Sequence, residues 1–520
     1  FILGMLPMVL ASGPGSASRQ AIGTGVFFGM IFAVTIGIIM VPFFFILIFN
    51  GVKKLQKIHL SKTGAAILAL PLIFCLNSCK LGKAYSRPGI DIPQSIYAEN
   101  NADTLSVADV AWWNIYPDPA LQELIKKTLD NNNDLLASKA RIKELAASRR
   151  IDKAQLLPQL NGNAYVQKEA LNYGGDSYKN DPEIGLKGGI SWEIDLWGNL
   201  RWAVEKGTAQ YLEAVESSRA LQVSLIADVA SAYFELVALD NELRIVRRTL
   251  SARTEAAKIA KLRYEGGLTS ETSYQQAQVE LARTATYIPR LERDIALKES
   301  EISLICGEFP HDIIRTGTLS WYDKEPQSIP VGLSSELIER RPDVRAAEQK
   351  LKAANAAVGM AYTNRFPKLS LTAQGGLESE EFTNFMRSPM YFLSAGILGP
   401  IFDGGKRQAQ YRAGQAAYEQ QTYAYRNTVI QAFTEARNAI INYRQTAQAA
   451  QSWKQLEQSS KTALDLAQLQ YINGVVAYLN VLDAQRSYFD AQIGLSNATR
   501  DRHLSLISLY KALGGGWRID

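Results

Sequence analysis

No proline occurs between Asn199 and Tyr264, nor between Lys406 and Tyr471. Uninterrupted, each stretch of about 66 residues makes a helix roughly 100 Å long at 1.5 Å per residue. That exceeds the diameter of an ordinary globular domain, so the chain must build something elongated. A heptad seam is readable in both. Val229, Ala232, Leu236, Leu239, Leu243, Val246 and Leu250 step by three and four, as do Val429, Phe433, Ala436, Ile440, Tyr443 and Ala447. Such steps predict left-handed coiled-coil packing. The Ala, Ser, Gln and Thr beside the seam suit close packing on two sides, as in the wall of a helical tube.

The two helices belong to an internal duplication. "LRYEGGLTSETSYQQAQ" (262–278) pairs with "LQYINGVVAYLNVLDAQ" (469–485) at an offset of 207 residues. Upstream, "LLPQLNGNAYVQ" (156–167) answers "RFPKLSLTAQGG" (365–376), and "EIDLWGNLR" (193–201) answers "PIFDGGKR" (400–407). Each half reads helix, Pro, strand, loop, strand, Gly turn, very long helix, Gly break, long helix. In 184–195 the residues Ile184, Leu186, Gly188, Ile190, Trp192 and Ile194 share one face and Gly185, Lys187, Gly189, Ser191, Glu193 and Asp195 the other. Residues 160–167 and 369–375 alternate likewise, and 391–402 less regularly. An apolar-out, polar-in pattern over about ten residues per strand is that of a membrane β-barrel, although a soluble half-buried sheet alternates too. Four strands close no useful barrel, and lipid forbids an open edge. If the strands enter a membrane, several chains share one barrel.

Composition sets few further limits. A net charge of +5 on 520 residues leaves no nucleic-acid footprint, and three dispersed His give no metal-ligand spacing. Three Cys are too few for a disulfide framework, and Cys306 reads as a small buried hydrophobe. No nucleophile–base constellation, P-loop or GxGxxG is present, so no enzyme and no cofactor is expected. Trp112, Trp113, Trp192 and Trp197 read as packing or interfacial anchors.

The first eighty residues are of a different kind. Residues 21–49 carry no charge over 29 positions, enough to span a bilayer. The sequence opens on Phe1 rather than Met, which argues against a true translation start. "LGMLPMVLASGPGSASRQAIGTGVFFGM…VPFFF" resembles the carboxyl-terminal end of an inner-membrane RND efflux pump, of the drug-exporting rather than the metal-exporting branch. Next come the basic Lys53, Lys54, Lys57 and Lys62, an apolar "GAAILALPLIFCL" (64–76), and "LNSC" (76–79), which resembles a lipoprotein cleavage site. Cleavage before Cys79 and its acylation would anchor the mature chain, since each buried methylene adds about 0.8 kcal/mol. Lys80 follows Cys79 where an Asp would suggest inner-membrane retention. The expected divisions are therefore 1–50 (pump fragment), 51–78 (signal peptide), 79–307 (first repeat) and 308–520 (second repeat).

Over the mature chain, "WWNIYPDPALQELIKKTLDNNNDLLASKARI" (112–142), "ERRPDVRAAEQKLKAANAAVGMAYTNRFPKLSLTA" (339–373), "DLWGNLR" and "FDGGKR" look like the TolC family of outer-membrane efflux proteins, in its lipoprotein branch. The resemblance implies a mainly α chain with a membrane β part. Three copies would form a 12-stranded β-barrel continued by a 12-helix α-barrel, with a small α/β belt from 80–140, 308–345 and the carboxyl end. Loops near 168–183 and 377–391 would face outside the cell. It further implies a passive exit duct for amphiphilic molecules in the outer membrane, a homotrimer joined to a periplasmic adaptor and an RND pump. The helix tips Gly267, Leu268, Thr269, Gly474, Val475 and Val476 would meet the adaptor. Tyr471 and Asp483 match the family's periplasmic gate, while Asn480 stands at a position that is acidic in relatives. Residues 480 and 483 share a helix face, so a trimer would set three Asp beside three Asn. Val476 replaces a residue that is polar or charged in several relatives. The alternatives are a structural periplasmic coiled-coil lipoprotein and a true pump–duct fusion. Mass spectrometry of the mature protein is expected to find an acylated Cys79 at the amino terminus; an intact residue 1–78 segment would establish the fusion instead.

Overall fold

The glycines that bracket the long helices set the architecture. The computed structural model describes residues 80–91, 118–171, 174, 179–316 and 339–515. The pump-like span, the signal segment, Cys79, Trp112 and Trp113 lie outside them. Residues from 80 onward form one unit. In chain order it contains α1 (Pro119–Asn131), α2 (Asn133–Ala154), β1 (Gln159–Leu171), β2 (Lys179–Ile194), α3 (Asn199–Glu265), α4 (Glu271–Ala285), α5 (Tyr287–Ile305), α6 (Pro342–Thr363), β3 (Lys368–Ser379), a 3₁₀ turn (Phe382–Arg387), β4 (Pro389–Leu398), α7 (Lys406–Ile472) and α8 (Tyr478–Ala512).

Helices α3 and α7 are each 67 residues long. Both enter from a left-handed glycine, Gly198 at φ 82° and Gly405 at φ 85°. Both leave through another, Gly267 at φ 71° and Gly474 at φ 74°. At each exit two backbone bonds close the last turn: Gly267 N–H to Tyr264 O (2.9 Å) and Leu268 N–H to Arg263 O (2.8 Å), then Gly474 N–H to Tyr471 O (3.0 Å) and Val475 N–H to Gln470 O (2.9 Å). This is the Schellman arrangement, which needs φ > 0 at the glycine. The halves differ beyond the tips. Helix α8 runs unbroken for 35 residues, whereas its counterpart divides into α4 and α5 at Thr286. Pro289 lies in the first turn of α5, where its missing N–H costs nothing, and it cannot extend the ladder of α4.

The strands form one antiparallel sheet in the order β1-β2-β3-β4. Register pairs Leu160 with Ile190, Ile190 with Ala373 and Ala373 with Leu393, so the alternation read in each strand adds up to a single apolar face. That face is bare: Leu160, Val166, Leu393 and Ile397 are 76–80% exposed. The other face is polar. Tyr165 Oη donates to Glu378 Oε1 (3.1 Å) and to Glu183, and Lys187 Nζ lies 2.8 Å from Glu378 Oε1. The strands outrun the expected loops: β1 continues to Leu171 and β2 starts at Lys179. At 13 and 16 residues they exceed the roughly 10 needed to cross a bilayer. Backbone pairing continues through Lys168 and Glu169, where no burial is required. Trp192 and Trp197 act as anchors here, donating to Leu156 O (3.0 Å) and Pro367 O (2.6 Å) at the base of the sheet.

Helix α3 is the inner member of the wall, packed by α2, α4, α5, α6 and α8. Its seam residues Val229, Ala232, Leu236 and Val246 are fully buried. Leu121, Leu124 and Ile125 of α1 pack against Tyr233, Phe234 and Val237 of α3 and Leu506 and Ile507 of α8, which marks one side of the wall as the belt side. Asp118 caps α1 through Ala120 N–H (2.9 Å) and accepts from Tyr233 Oη (2.5 Å). The segment after position 79 is clamped near the sheet: Lys80 Nζ lies 3.2 Å from the centroid of the Trp202 ring and pairs with Glu205, and Trp202 Nε1 donates to Leu81 O (2.7 Å). Gly359 of α6 lies against the other part of that indole; a Cβ there would fall 2.3 Å from Trp202 Cδ2. Gly359→Ala is expected to destabilise the fold by about 1–3 kcal/mol through overpacking, read as a lowered thermal midpoint by far-ultraviolet circular dichroism.

Candidate functional site: the periplasmic mouth

The α3–α4 and α7–α8 tips pack together. Ala257, Ala260 and Ala277 share a core with Tyr478, Val481 and Leu482, and Tyr471 leans on it. At the turns, Leu268 and Val475 are 72% and 69% exposed, while Thr269 and Val476 are half-buried. Thr269 Oγ1 is buried without a hydrogen-bond partner.

The structure separates the three candidate gate residues into two layers. Asn480 and Asp483 are exposed on α8, and Val481 and Leu482 between them face the core, as the three-residue spacing requires. Tyr471 makes no hydrogen bond or ring contact with either. Its ring lies 5.3 Å from that of Tyr478 at 49°, with the Arg263 guanidinium 4.9 Å from its centroid. Burial raises the pKa of the Tyr478 hydroxyl, which has no protein partner.

Behind Asp483 stands a charge network that reading the sequence missed. Arg486 reaches Asp483 Oδ1 (3.1 Å) and Glu280 Oε1 (2.7 Å). Arg253 lies 3.0 Å from Glu280 Oε2 and donates to Thr284 Oγ1 (2.5 Å) and Glu280 O (3.1 Å). Arg253 and Glu280 are 5% and 2% exposed. Burial by itself raises the Glu280 carboxyl, but the Arg486 hydrogen bond and the Arg253, Arg486 and Arg283 charges outweigh it and hold the group below the ordinary range. Burial likewise lowers the Arg253 guanidinium against the pull of Glu280. Acidic side chains on long helices read as solvated. The overlooked signal was position: residue 253 is 14 before Gly267 and 280 is 13 after it, so an antiparallel hairpin turning there must bring them level. One carboxylate thus ties α3, α4 and α8 together above the mouth. Among the described residues no group of His, Cys, Asp or Glu could hold a metal ion.

The model of the outer membrane efflux protein family matches residues 124–308 and 333–515. The chain belongs to this family. Its first 49 residues match the AcrB/AcrD/AcrF family. The probable outer membrane lipoprotein SilC of Salmonella typhimurium is 28% identical over 457 residues, covering 87% of this chain and 98% of SilC. The toluene efflux pump outer membrane protein TtgI of Pseudomonas putida is 29% identical over 471 residues, covering 87% and 99%. Among solved structures, the open state of the Neisseria gonorrhoeae MtrE outer membrane channel superimposes with a TM-score of 0.77 at 27% identity, over 85% of this chain and 99% of MtrE. The fold is TolC-like, the chain is an outer-membrane channel, and its work is to provide the exit duct of an efflux pump.

Glu280→Ala, which leaves Arg253 buried without its partner, is expected to cost about 3–5 kcal/mol locally, read as lost hydrogen-exchange protection in residues 250–284. In the unaltered chain, a depressed carboxyl contributes above its unfolded value and is lost as pH falls through the folded one. Tip protection is therefore expected to hold from pH 7 to about pH 5 and to fail only below about pH 4.

Proposed function

We propose that three copies of this chain close one tube, joined through a periplasmic adaptor to an RND pump, and that amphiphilic organic molecules leave through it chemically unchanged. The observation that carries the reading is the four-stranded sheet with a bare apolar face and two unpaired edges, β1 and β4. In lipid such a sheet persists only if other chains complete the ring, and three make twelve strands. The helices support the same assembly. Ile430, Leu456, Leu466, Leu469 and Ile472 on α7, and Val279, Leu297 and Leu304 on α4 and α5, are 48–75% exposed, so the two flanks of the wall present apolar surface for neighbouring copies. The pump-like residues 1–49 support an RND partner, and the toluene named for TtgI, an apolar aromatic molecule, supports organic cargo.

In this reading Cys79 carries the acyl anchor. Gly267, Leu268, Thr269, Gly474, Val475 and Val476 form the adaptor-contact tips, where exposed Leu268 and Val475 supply apolar contact. Asn480 and Asp483 face the pore as a ring, with Tyr471 supporting it from behind. A ring carrying one Asp per copy attracts cations less than one carrying two. Heat-modifiable trimers in detergent and single-channel conductance in planar bilayers test the assembly; a monomer without conductance would sink it. Asp483→Ala is expected to cut the cation-over-anion permeability ratio by about half, and Asn480→Asp to raise it by a similar factor. Unchanged selectivity in both would remove these residues from the gate.

A further inference from the structure

The wall has a recess on the side away from the belt. Tyr233 and Val237 of α3 pack with α1, so the opposite face of α3 is the one that carries Leu239, Glu242 and Val246. On that face a recess of about 730 Å³ opens between α3, α5, α7 and α8, above the Arg253 network. Its apolar part is aromatic. Trp453 of α7 crosses onto α8 and rests on Gly494, where a Cβ would lie 2.2 Å from the indole Cζ3. Tyr287 and Phe489 lie alongside, their ring centroids 5.9 Å apart. Trp453 is 36% exposed, its indole lining the recess on what the duct reading makes the lumen side.

Four carboxylates share the recess: Glu242, Asp294, Asp490 and Asp501. Arg500 is bonded to Asp501 (2.8 Å) and Arg290 lies 3.9 Å from Asp294. Glu242 and Asp490 have no cation within ion-pair distance among the described residues. Burial raises the Glu242 carboxyl against the opposing charges of Arg500 and Arg290, so its charge is poorly solvated and only partly balanced. Aromatic faces beside carboxylates that lack a direct ion-pair partner attract one ligand class above others: a cation with a flat apolar body.

From this arrangement we infer that the duct wall holds a cargo subsite for aromatic organic cations, one per copy, centred on Trp453, Glu242 and Asp490. The inference rests on the exit-duct reading, because it needs this face to line the lumen. A site in a conduit has to be weak enough to release what it binds, so it enriches such cargo in the tube rather than trapping it.

The test is titration of the purified full chain, in a neutral detergent, with ethidium, a planar quaternary cation whose fluorescence rises on leaving water. Saturable binding at one site per chain is expected. Trp453→Ala should weaken it about fivefold, as should Gly494→Ala, which displaces the indole without touching a charge. Glu242→Gln with Asp490→Asn should weaken it about tenfold, and anionic 8-anilinonaphthalene-1-sulfonate should not compete. Circular dichroism confirms that each variant is folded. Non-saturable binding, or variants within twofold of the unaltered chain, overturns the subsite. Conductance of the same preparation keeps the two readings apart. Channels that conduct without this binding refute the subsite alone. Binding without conductance refutes the duct, and with it the subsite as a cargo site.

Discussion

Everything in this chain answers to the rule that a backbone N–H or C=O has no partner in lipid except another backbone group. The four strands obey it internally along three ladders and leave it unmet at two edges. From that follow the need for other copies, the bare apolar outer face, and the polar inner face where Tyr165, Lys187, Glu183 and Glu378 satisfy one another. The helices inherit the problem's geometry. Each pair of strands delivers its chain to one point below the membrane, and there a left-handed glycine, Gly198 or Gly405, turns it into a helix 67 residues long.

Burial is divided unequally between those two helices. Helix α3 is sealed by neighbours from its own copy, with Trp202, Tyr233 and Phe234 fully buried. Helix α7 is sealed only where α6 and α8 cover it and keeps Leu456, Leu466 and Ile472 exposed. The single chain is thus a finished core with unfinished flanks. The tip shows the same economy of partners: one carboxylate, Glu280, serves arginines from α3, α4 and α8, so a few charge contacts join a small apolar core in holding the mouth.

Much of this was legible in the sequence because it is periodic. The heptads at 229–250, the alternation at 184–195, and the 207-residue offset each reported a structural repeat, and Val229, Leu236 and Ile190 stand on the faces their spacing assigned. Strand ends were less legible, since hydrogen-bonded pairing continues past the apolar stretch through Lys168 and Glu169 at no cost in burial. The break between α4 and α5 was visible only as Pro289. At the mouth, the shared face of Asn480 and Asp483 followed from spacing, but the contacts of Tyr471 and the Arg253–Glu280–Arg486 network did not. Those contacts join residues from different helices, and no local pattern reports how two hairpins are set against each other.

The equal length of α3 and α7 has a consequence for how such a chain can change. Their tips share a core in which Ala257 and Ala260 of α3 and Leu464, Ala467 and Tyr471 of α7 pack with Tyr478 and Leu482 of α8. Adding one residue to either helix alone would shift its tip by about 1.5 Å and rotate every following side chain by about 100°. The seam would leave its groove and the tip core would come apart. Length is therefore a property of the pair: the tube can grow or shrink only by whole heptads, inserted at matching heights in both halves. The duplication acts as a ruler that two copies of one sequence keep for each other.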